Sequence, residues 1–161
     1  MQSKDKNKKN PYNILSFNDF EKEYNNWTKT TEQIDSLEAY SGNRSLKLDS
    51  MKIYSPVYAK KFSAITNSKK CNFRISLYSK FEQGSEPIIV FSTSRKTKNV
   101  IWQGENMNLY CYHPQNWCKA YLIKEIYSEI EPNDIVEIYV WNNSKKSIWI
   151  DDVKIEVLNI N

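Results

Sequence analysis

The segment Cys71–Phe81 constrains the fold more than any other part of the chain. Its sequence, CNFRISLYSKF, places apolar residues mostly at odd positions and polar residues mostly at even positions. An alternation with a period of two is typical of a β-strand that buries one face and leaves the other in contact with solvent. The chain is therefore expected to contain at least one half-buried β-sheet.

Segments rich in β-branched and aromatic residues recur along the chain and predict about ten short strands. Besides Cys71–Phe81, the segments are Arg44–Asp49, Ile53–Phe62, Pro87–Thr93, Asn99–Trp102, Met107–Tyr112, Trp117–Tyr127, Ile135–Trp141 and Ser147–Leu158. Turn-forming clusters such as Ser41-Gly42-Asn43 separate them. Only Phe17–Trp27 is compatible with a short helical turn. The pattern predicts an all-β fold, namely an antiparallel two-sheet jelly-roll β-sandwich.

The first residues differ in composition from the rest. The chain of 161 residues is long enough for one domain with one core. After Met1 the first ten residues contain no apolar side chain, so residues 1–11 are predicted to form a disordered hydrophilic tether and residues 12–161 a single β-sandwich domain.

Such a tether is typical of the segment that follows the lipidated cysteine of bacterial lipoproteins. It favours an extracytoplasmic protein, either secreted or held at the bacterial cell surface by a lipid anchor that precedes this sequence. A cytosolic start and an arbitrary cut within a longer protein are the alternatives.

The distribution of charge argues against a nucleic-acid partner. The net charge is +4, and four lysines against one aspartate in the first ten residues account for three of these charges. The remaining chain is nearly neutral, whereas domains that bind nucleic acids cluster their basic residues on one face. No apolar run approaches the ~20 residues that cross a bilayer, so no transmembrane segment is expected. We expect a monomer.

Three cysteines, Cys71, Cys111 and Cys118, offer neither a CxxC pair nor another zinc-binding spacing. Cys111 and Cys118 would close a small loop if neighbouring strands brought them within disulfide distance. Otherwise they are two buried thiols that behave as small apolar side chains. The sequence leaves both alternatives open.

The last predicted strand carries an acidic residue on its apolar face. By the period of two, one face of Ser147–Val157 carries Trp149, Val153, Ile155 and Val157. Asp151 falls on the same face. An unpaired buried charge costs several kcal/mol, so this carboxylate must find partners. Backbone N–H groups of a neighbouring turn are one solution, and Ca²⁺, which binds carboxylate and carbonyl oxygens, is another.

A set of short motifs resembles a known family. The motifs are Phe20-Glu21, Trp27, the segment Ala39-Tyr40-Ser41-Gly42-Asn43-Arg44-Ser45-Leu46-Lys47-Leu48, Trp117 and Trp149-Ile150-Asp151-Asp152-Val153. Their order and spacing, from Leu15 to Leu158, resemble those of carbohydrate-binding modules with a galactose-binding-domain-like β-sandwich. The resemblance implies the same fold and a non-catalytic domain that recognises a glycan or polysaccharide.

The resemblance also implies a structural calcium ion that joins the early loop, the Ser-Gly hairpin and the last strand. Glu21 and Asp151 would supply carboxylates. The hairpin around Asn43 and Ser45 would supply further oxygen atoms, largely from backbone carbonyls.

Glycan recognition needs aromatic rings that stack on pyranose faces and polar groups that bind hydroxyls. The candidate ligand-binding residues are Trp102, Tyr110, Tyr112 and Trp141, with Gln103 and Asn142 as polar neighbours. If Met107–Tyr112 is a strand, Tyr110 and Tyr112 share one face, which we expect to be the ligand side. Trp27, Trp117 and Trp149 are assigned to the core. The alternative function is a cell-surface structural or protein-interaction β-sandwich without a sugar site, in which these rings only fill the core and cover a sheet.

Standard catalytic motifs are missing from the sequence. His113 is the single histidine, and there is no Gly-x-Ser-x-Gly, His-Glu-x-x-His or phosphate-binding glycine loop. A lyase could use a tyrosine with His113 and an arginine such as Arg74 or Arg95. A glycosidase needs paired carboxylates, and the spacing of the glutamates in the sequence carries no information about the separation that this chemistry requires. We therefore expect no catalytic activity.

Overall fold

The computed structural model describes residues 10–22 and 33–160, and these form ten β-strands in two antiparallel sheets. The strands are β1 (Asn13–Asn18), β2 (Ile34–Asp35), β3 (Ser45–Leu48), β4 (Tyr58–Lys61), β5 (Lys70–Phe81), β6 (Pro87–Arg95), β7 (Lys98–Asn106), β8 (Cys118–Tyr127), β9 (Ile135–Asn142) and β10 (Ile148–Asn159). The larger sheet has the order β2-β3-β10-β5-β8, with β1 paired to β10, and the smaller sheet has the order β4-β9-β6-β7. The predicted antiparallel two-sheet sandwich is confirmed.

The core lies between the two sheets and is filled by alternate residues of the long strands. On β5, Phe73, Ile75 and Leu77 are buried, and on β6 so are Ile89 and Phe91. The rings of Phe73 and Phe91 meet across the sheets with their centroids 5.1 Å apart. The alternation in Cys71–Phe81 is therefore the alternation between the core and the outer face of the larger sheet.

The prediction of a strand over Met107–Tyr112 is wrong. Met107–Leu109 form a short 3₁₀ helix, and at its start the Asn106 side chain accepts a hydrogen bond from the backbone N–H of Asn108. Asparagine side chains that bond the backbone two residues on compete with a sheet ladder. A 3₁₀ helix has three residues per turn, so the period of two does not apply here.

The predicted helical turn over Phe17–Trp27 is also absent from its described part. Phe17 and Asn18 end β1, and residues 20–22 form a bend. The Asn18 side chain accepts a hydrogen bond from the backbone N–H of Phe20, which holds the chain in a local turn instead of a helix. Residues 23–32, Trp27 among them, lie outside the described residues, as do residues 1–9 of the predicted tether.

Strand β10 contains a bulge, so the predicted inward face is confirmed at Val153, Ile155 and Val157 and is reversed before Asp151. Ile148 and Ile150 are buried, and the pairing with β5 is interrupted between Asp151 and Lys154. Asp152, within this bulge, has a φ of +47°. The extra residue shifts the alternation by one position, so that the inward face continues at Val153 and Ile155.

The assignment of Trp149 and Trp117 to the core is wrong. Trp149 is only partly buried on the outer face of the larger sheet, where its indole N–H donates to Asp35 Oδ2 at 2.9 Å. Trp117 is also partly buried, and its ring centroid lies 5.9 Å from that of Tyr40. The bulge explains the position of Trp149, because a period of two does not continue across an inserted residue.

Cys111 and Cys118 form a disulfide, with their Cα atoms 5.6 Å apart. The bond closes the loop that leads into β8. Cys71 is a buried free thiol, and burial raises its pKa to about 11. Among the described residues, no helix is long and apolar enough to cross a membrane.

A buried carboxylate joins β5 and β10 on the outer face of the larger sheet. Glu156 has no solvent exposure and accepts a hydrogen bond from Arg74 Nε at 2.8 Å. Lys154 Nζ lies 3.4 Å from its other oxygen. The Tyr12 ring covers the Arg74 guanidinium, 4.0 Å from it. The hydrogen bond from Arg74 lowers the pKa of the Glu156 carboxyl below its ordinary value.

We expect Glu156→Gln to reduce the free energy of unfolding at pH 7 by about 2 kcal/mol, because the Arg74 guanidinium loses its anionic partner and keeps only a neutral acceptor. A lowered folded-state pKa gives stability that is present above the unfolded pKa and lost as the pH falls through the folded value. The difference between wild type and variant should therefore shrink below about pH 4. Urea unfolding at pH 7 and pH 3 measures both values.

The control is Glu86→Gln, at an exposed carboxylate, which should change stability by no more than about 0.5 kcal/mol. A difference for Glu156→Gln that is independent of pH would show that the charge of this side chain does not contribute.

Candidate functional site

The outer face of the smaller sheet carries a row of aromatic side chains. Tyr139 and Trp141 alternate on β9 with the buried residues Ile138 and Val140, so their rings lie on the side away from the core. Tyr54 forms an isolated β-bridge with Trp141. Its ring centroid lies 6.3 Å from that of Trp141 and 6.0 Å from that of Tyr139.

Trp102 on β7 lies on the same side. Ser92 of β6 pairs with Glu137 on one neighbouring strand and with Trp102 on the other, and residues that pair across antiparallel strands share a face. The Trp102 ring lies across Gly104, where an added Cβ would come within 2.7 Å of the ring. Only glycine therefore lets the indole lie in this position.

We call Tyr54, Tyr139, Trp141 and Trp102 the aromatic face. Strands β9 and β7 are separated by β6, so the rings are spread over about 10 Å in the direction across the strands. Tyr54 and Trp102 are each 51% exposed, which leaves ring surface for a ligand. Glu137, next to Ser92 in the same row, adds a carboxylate that can accept hydrogen bonds from hydroxyl groups.

Two of the predicted ligand-binding residues, Trp102 and Trp141, belong to this face. Sequence reasoning missed Tyr54, Tyr139 and Glu137. The sequence does contain a signal for Tyr139 and Glu137. Both lie at alternate positions from Trp141 in the predicted strand Ile135–Trp141 and therefore share its face. Tyr54 had no such signal, because the predicted strand Ile53–Phe62 contains no ligand candidate with which it could share a face; the residue precedes β4 and reaches the face through a single bridge.

Gln103 and Asn142 do not join the aromatic face. Gln103 alternates with Trp102 on β7 and donates from Nε2 to the carbonyl of Ile123 on β8, which links the two sheets. Asn142 is fully buried and donates from Nδ2 to the carbonyl of Lys146 at 2.7 Å, which holds the turn between β9 and β10.

Tyr110 and Tyr112 are also separate from it, because the segment that contains them is not a strand. The Tyr110 hydroxyl donates to Glu105 Oε1, and its ring packs 4.5 Å from that of Tyr121. Burial, together with the Glu105 carboxylate, raises the pKa of Tyr110 to about 12. Tyr112 is 86% exposed and follows Cys111, which the disulfide fixes to the start of β8.

The burial predicted for Asp151 is confirmed. Its Oδ2 accepts backbone N–H groups of Tyr40 and Ser41 at 2.9 and 3.0 Å, and Oδ1 accepts that of Asp152 at 2.8 Å. Desolvation by burial raises the pKa of the Asp151 carboxyl, and the charge of Asp152 acts in the same direction.

Glu21 meets the same hairpin from the other side. Its Oε1 accepts the backbone N–H groups of Asn43 and Arg44, both at 2.7 Å. Gly42 has a φ of +60°, and a Cβ there would collide with the Glu21 carboxylate. The Ser45 hydroxyl donates a hydrogen bond to the backbone carbonyl of Glu38 at 2.6 Å. The structure thus brings Glu21, Asn43 and Asp151 together at one hairpin and turns the Ser45 side chain to Glu38.

Carboxylate oxygens are the donors that a hard cation prefers, but the Asp151 oxygens already accept three backbone N–H groups, which is the other solution that the sequence left open. Backbone N–H groups hold both carboxylates, as is common for carboxylates that bind metals. In the described ranges, no basic side chain forms an ion pair with Asp151 or Asp152. No group of three or more His, Cys, Asp or Glu side chains suited to a metal occurs there either, so backbone carbonyls would have to complete the ligand set.

Comparison with solved structures finds this fold among carbohydrate-binding modules. The CBM22-1 xylan-binding domain of Paenibacillus barcinonensis Xyn10C is 18% identical, with a TM-score of 0.59 over 92% of this chain and 97% of that domain. The C-terminal family 22 module of Clostridium thermocellum Xyn10B is 14% identical, with a TM-score of 0.52 over 90% and 94% of the two chains. A family 16 carbohydrate-binding module is 12% identical, with a TM-score of 0.52 over 80% and 89%.

No protein-family model matches the sequence, and no curated protein matches it either. The identities to the solved structures are low, so the similarity concerns the fold. On that evidence the chain is a β-sandwich of the type found in carbohydrate-binding modules, as the resemblance of its motifs implied.

Proposed function

We propose that this protein is a non-catalytic carbohydrate-binding domain that binds a polysaccharide on the aromatic face. The observation that carries the proposal is the presence of Tyr54, Tyr139, Trp141 and Trp102 on one side of one sheet. Aromatic rings offer large apolar surfaces at little conformational cost, and pyranose rings present matching C–H faces. Glu137 supplies an acceptor for sugar hydroxyls within the same surface.

The ligand class that we propose is a β-linked neutral polysaccharide of the xylan type. The similar domain of Xyn10C is described as xylan-binding. The spread of the rings across three strands, about 10 Å, exceeds the length of one monosaccharide and suits at least two consecutive sugar units. The competing function is a structural or protein-interaction sandwich with no sugar site.

Retardation in gels that contain xylan tests the proposal. We expect wild-type protein to be retarded, and Trp141→Ala and Tyr139→Ala each to weaken binding by about tenfold or more, since loss of one stacking ring costs about 1–3 kcal/mol by analogy with base stacking. Tyr112→Ala is the matched control, because it removes an exposed ring outside the aromatic face and should leave retardation unchanged.

Gly104→Ala provides a second variant that keeps every aromatic side chain. The added Cβ displaces the Trp102 ring, so affinity should fall together with a shift in tryptophan fluorescence. Absence of retardation on xylan and on other neutral polysaccharides favours the competing function. An effect of Tyr112→Ala without an effect of Trp141→Ala contradicts the assignment of the face.

We also propose that calcium binds at the hairpin that Glu21 and Asp151 meet. The support is electrostatic: a fully buried carboxylate lies beside Asp152, and within the described residues no basic side chain forms an ion pair with either. Calcium would supply the missing positive charge and join the early loop, the hairpin and β10.

The thermal midpoint should fall on addition of EDTA and recover with CaCl₂, because a ligand that binds only the native state stabilises it by mass action, by about 2.7 kcal/mol at a hundredfold excess over Kd. Glu21→Gln should abolish the response, and Glu86→Gln should retain it. An identical wild-type midpoint in EDTA and in CaCl₂ would mean that backbone N–H groups alone hold the two carboxylates.

An extracytoplasmic location is part of this proposal, either as a secreted protein or with a lipid anchor before the hydrophilic Met1–Asn10 segment. The Cys111–Cys118 disulfide supports it, because disulfides persist mainly in oxidising compartments.

Thiol titration checks the redox state. Protein purified without reductant should show one reactive thiol after denaturation, that of Cys71, and three after reduction. The native protein should react slowly, because Cys71 is buried and its pKa is raised to about 11. Three thiols in the unreduced denatured protein would contradict the disulfide and remove its support for an oxidising compartment.

A further inference from the structure

The outer face of the larger sheet contains a groove with a polar floor and apolar sides. Two cross-strand rows over β1, β10, β5 and β8 define it: Phe17–Lys154–Ser76–Tyr121 and Ile14–Glu156–Arg74–Ile123. In both rows the two central residues are polar or charged and the two outer residues are apolar or aromatic. We call this surface the cationic groove.

The apolar sides of the cationic groove remain open to solvent. Ile14 and Phe17 are 62% and 49% exposed on β1, and Tyr121 and Ile123 are 43% and 46% exposed on β8. Three strand spacings separate the two sides, which is about 14 Å between backbones. A cleft of about 380 Å³ lies over the floor and the β8 side. The Tyr12 ring over Arg74 and the Asn10 side chain, which donates to Glu156 Oε1 at 3.3 Å, cover part of the floor, so the cleft beside β8 is the part that is open to a ligand.

The charges around the cleft are mostly positive. Its lining includes Arg74, Lys119 and Lys154 against the single carboxylate of Glu156, which leaves a surplus of two positive charges. The Arg74 guanidinium forms an ion pair with Glu156, with 2.8 Å between Nε and Oε2, and the Tyr12 ring covers it. Lys154 lies farther from Glu156, at 3.4 Å, and Lys119 is exposed above the Tyr78 ring. Lys119 and Lys154 therefore line the cleft with N–H donors that can still bind a ligand.

We propose that the cationic groove is a second saccharide site, which binds uronate residues of an acidic polysaccharide. A uronate presents an apolar pyranose face and a carboxylate on the same ring. The first suits the exposed Tyr121 and Ile123 side chains, and the second suits Lys119 and Lys154. The surplus of two charges is small for a nucleic acid, whose binding depends on many phosphate contacts.

The cationic groove lies on the opposite sheet from the aromatic face, so the two sites have different chemistry and separate tests. The aromatic face carries a carboxylate, Glu137, and suits neutral sugars. The cationic groove carries lysines and suits charged ones. Neither proposal depends on the other.

The experiment compares binding to polygalacturonate and to its fully methyl-esterified form at 0.15 M salt, a condition that screens distant charges. We expect polygalacturonate to bind at least about tenfold more tightly than the ester, because esterification removes the carboxylate and retains the ring. Lys119→Gln and Lys154→Gln should each reduce this preference several-fold. Lys98→Gln, at an exposed lysine of the smaller sheet, should leave it unchanged.

Equal affinity for the two polymers, or binding to neither, overturns the proposal. So does loss of polygalacturonate binding in Trp141→Ala, which would move the ligand to the aromatic face. Equal or tighter binding of a single-stranded oligonucleotide overturns it as well, because the surface would then select charge alone. Lys154 contacts Glu156, so its substitution can lower stability, and thermal midpoints are therefore compared for every variant. If Lys154→Gln is destabilised, the result for Lys119→Gln, at an exposed position, decides the outcome.

Discussion

The buried carboxylate of Asp151 ties together parts of the chain that lie far apart in sequence. Backbone N–H groups of Tyr40 and Ser41 converge on it, and its neighbour Asp152 occupies a bulge with positive φ. Without that bulge the inner residues of β10 would pass to the outer face, because a shift of one residue exchanges the two sides of a strand. The same bulge sets the positions of Lys154 and Glu156 and therefore the floor of the cationic groove. One local irregularity thus determines both the packing of the central strand and the chemistry of an outer surface.

The two outer surfaces differ although the same alternation builds both. On β9, Ile138 and Val140 fill the core while Tyr139 and Trp141 form part of the aromatic face. On β5, Ile75 fills the core while Arg74 and Ser76 belong to the floor of the cationic groove. The core residues beside them fix the positions of the rings on such strands. Binding of a ligand to either face would therefore cost little conformational entropy in ordering the side chains. This arrangement suits recognition of a stiff polymer by a preformed surface.

The sequence was sufficient to predict the fold, because the period of two is a local property that the sandwich retains. It also predicted the burial of Asp151 and placed Trp102 and Trp141 among the ligand candidates. It failed where a local hydrogen bond interrupts the period, as at the Asn106 cap, and where a bulge shifts it, as before Val153. The grouping of Tyr54 with Trp141 depends on an isolated bridge between distant segments, which no local pattern reports. Strand existence was therefore easier to predict than the composition of either surface.

Strand β10 carries two fully buried carboxylates whose effects on stability have opposite pH dependence. The hydrogen bond from Arg74 lowers the pKa of Glu156, so its stabilisation is present above the unfolded pKa and is lost as the pH falls. Burial raises the pKa of Asp151, so its favourable contribution is present below the unfolded pKa and is lost as the pH rises through the folded value. A cation bound at the hairpin would favour the ionised form of Asp151 and lower that pKa, which removes the loss at neutral pH. The two carboxylates would then act in the same direction, one through a guanidinium supplied by the chain and the other through an ion supplied by the solution.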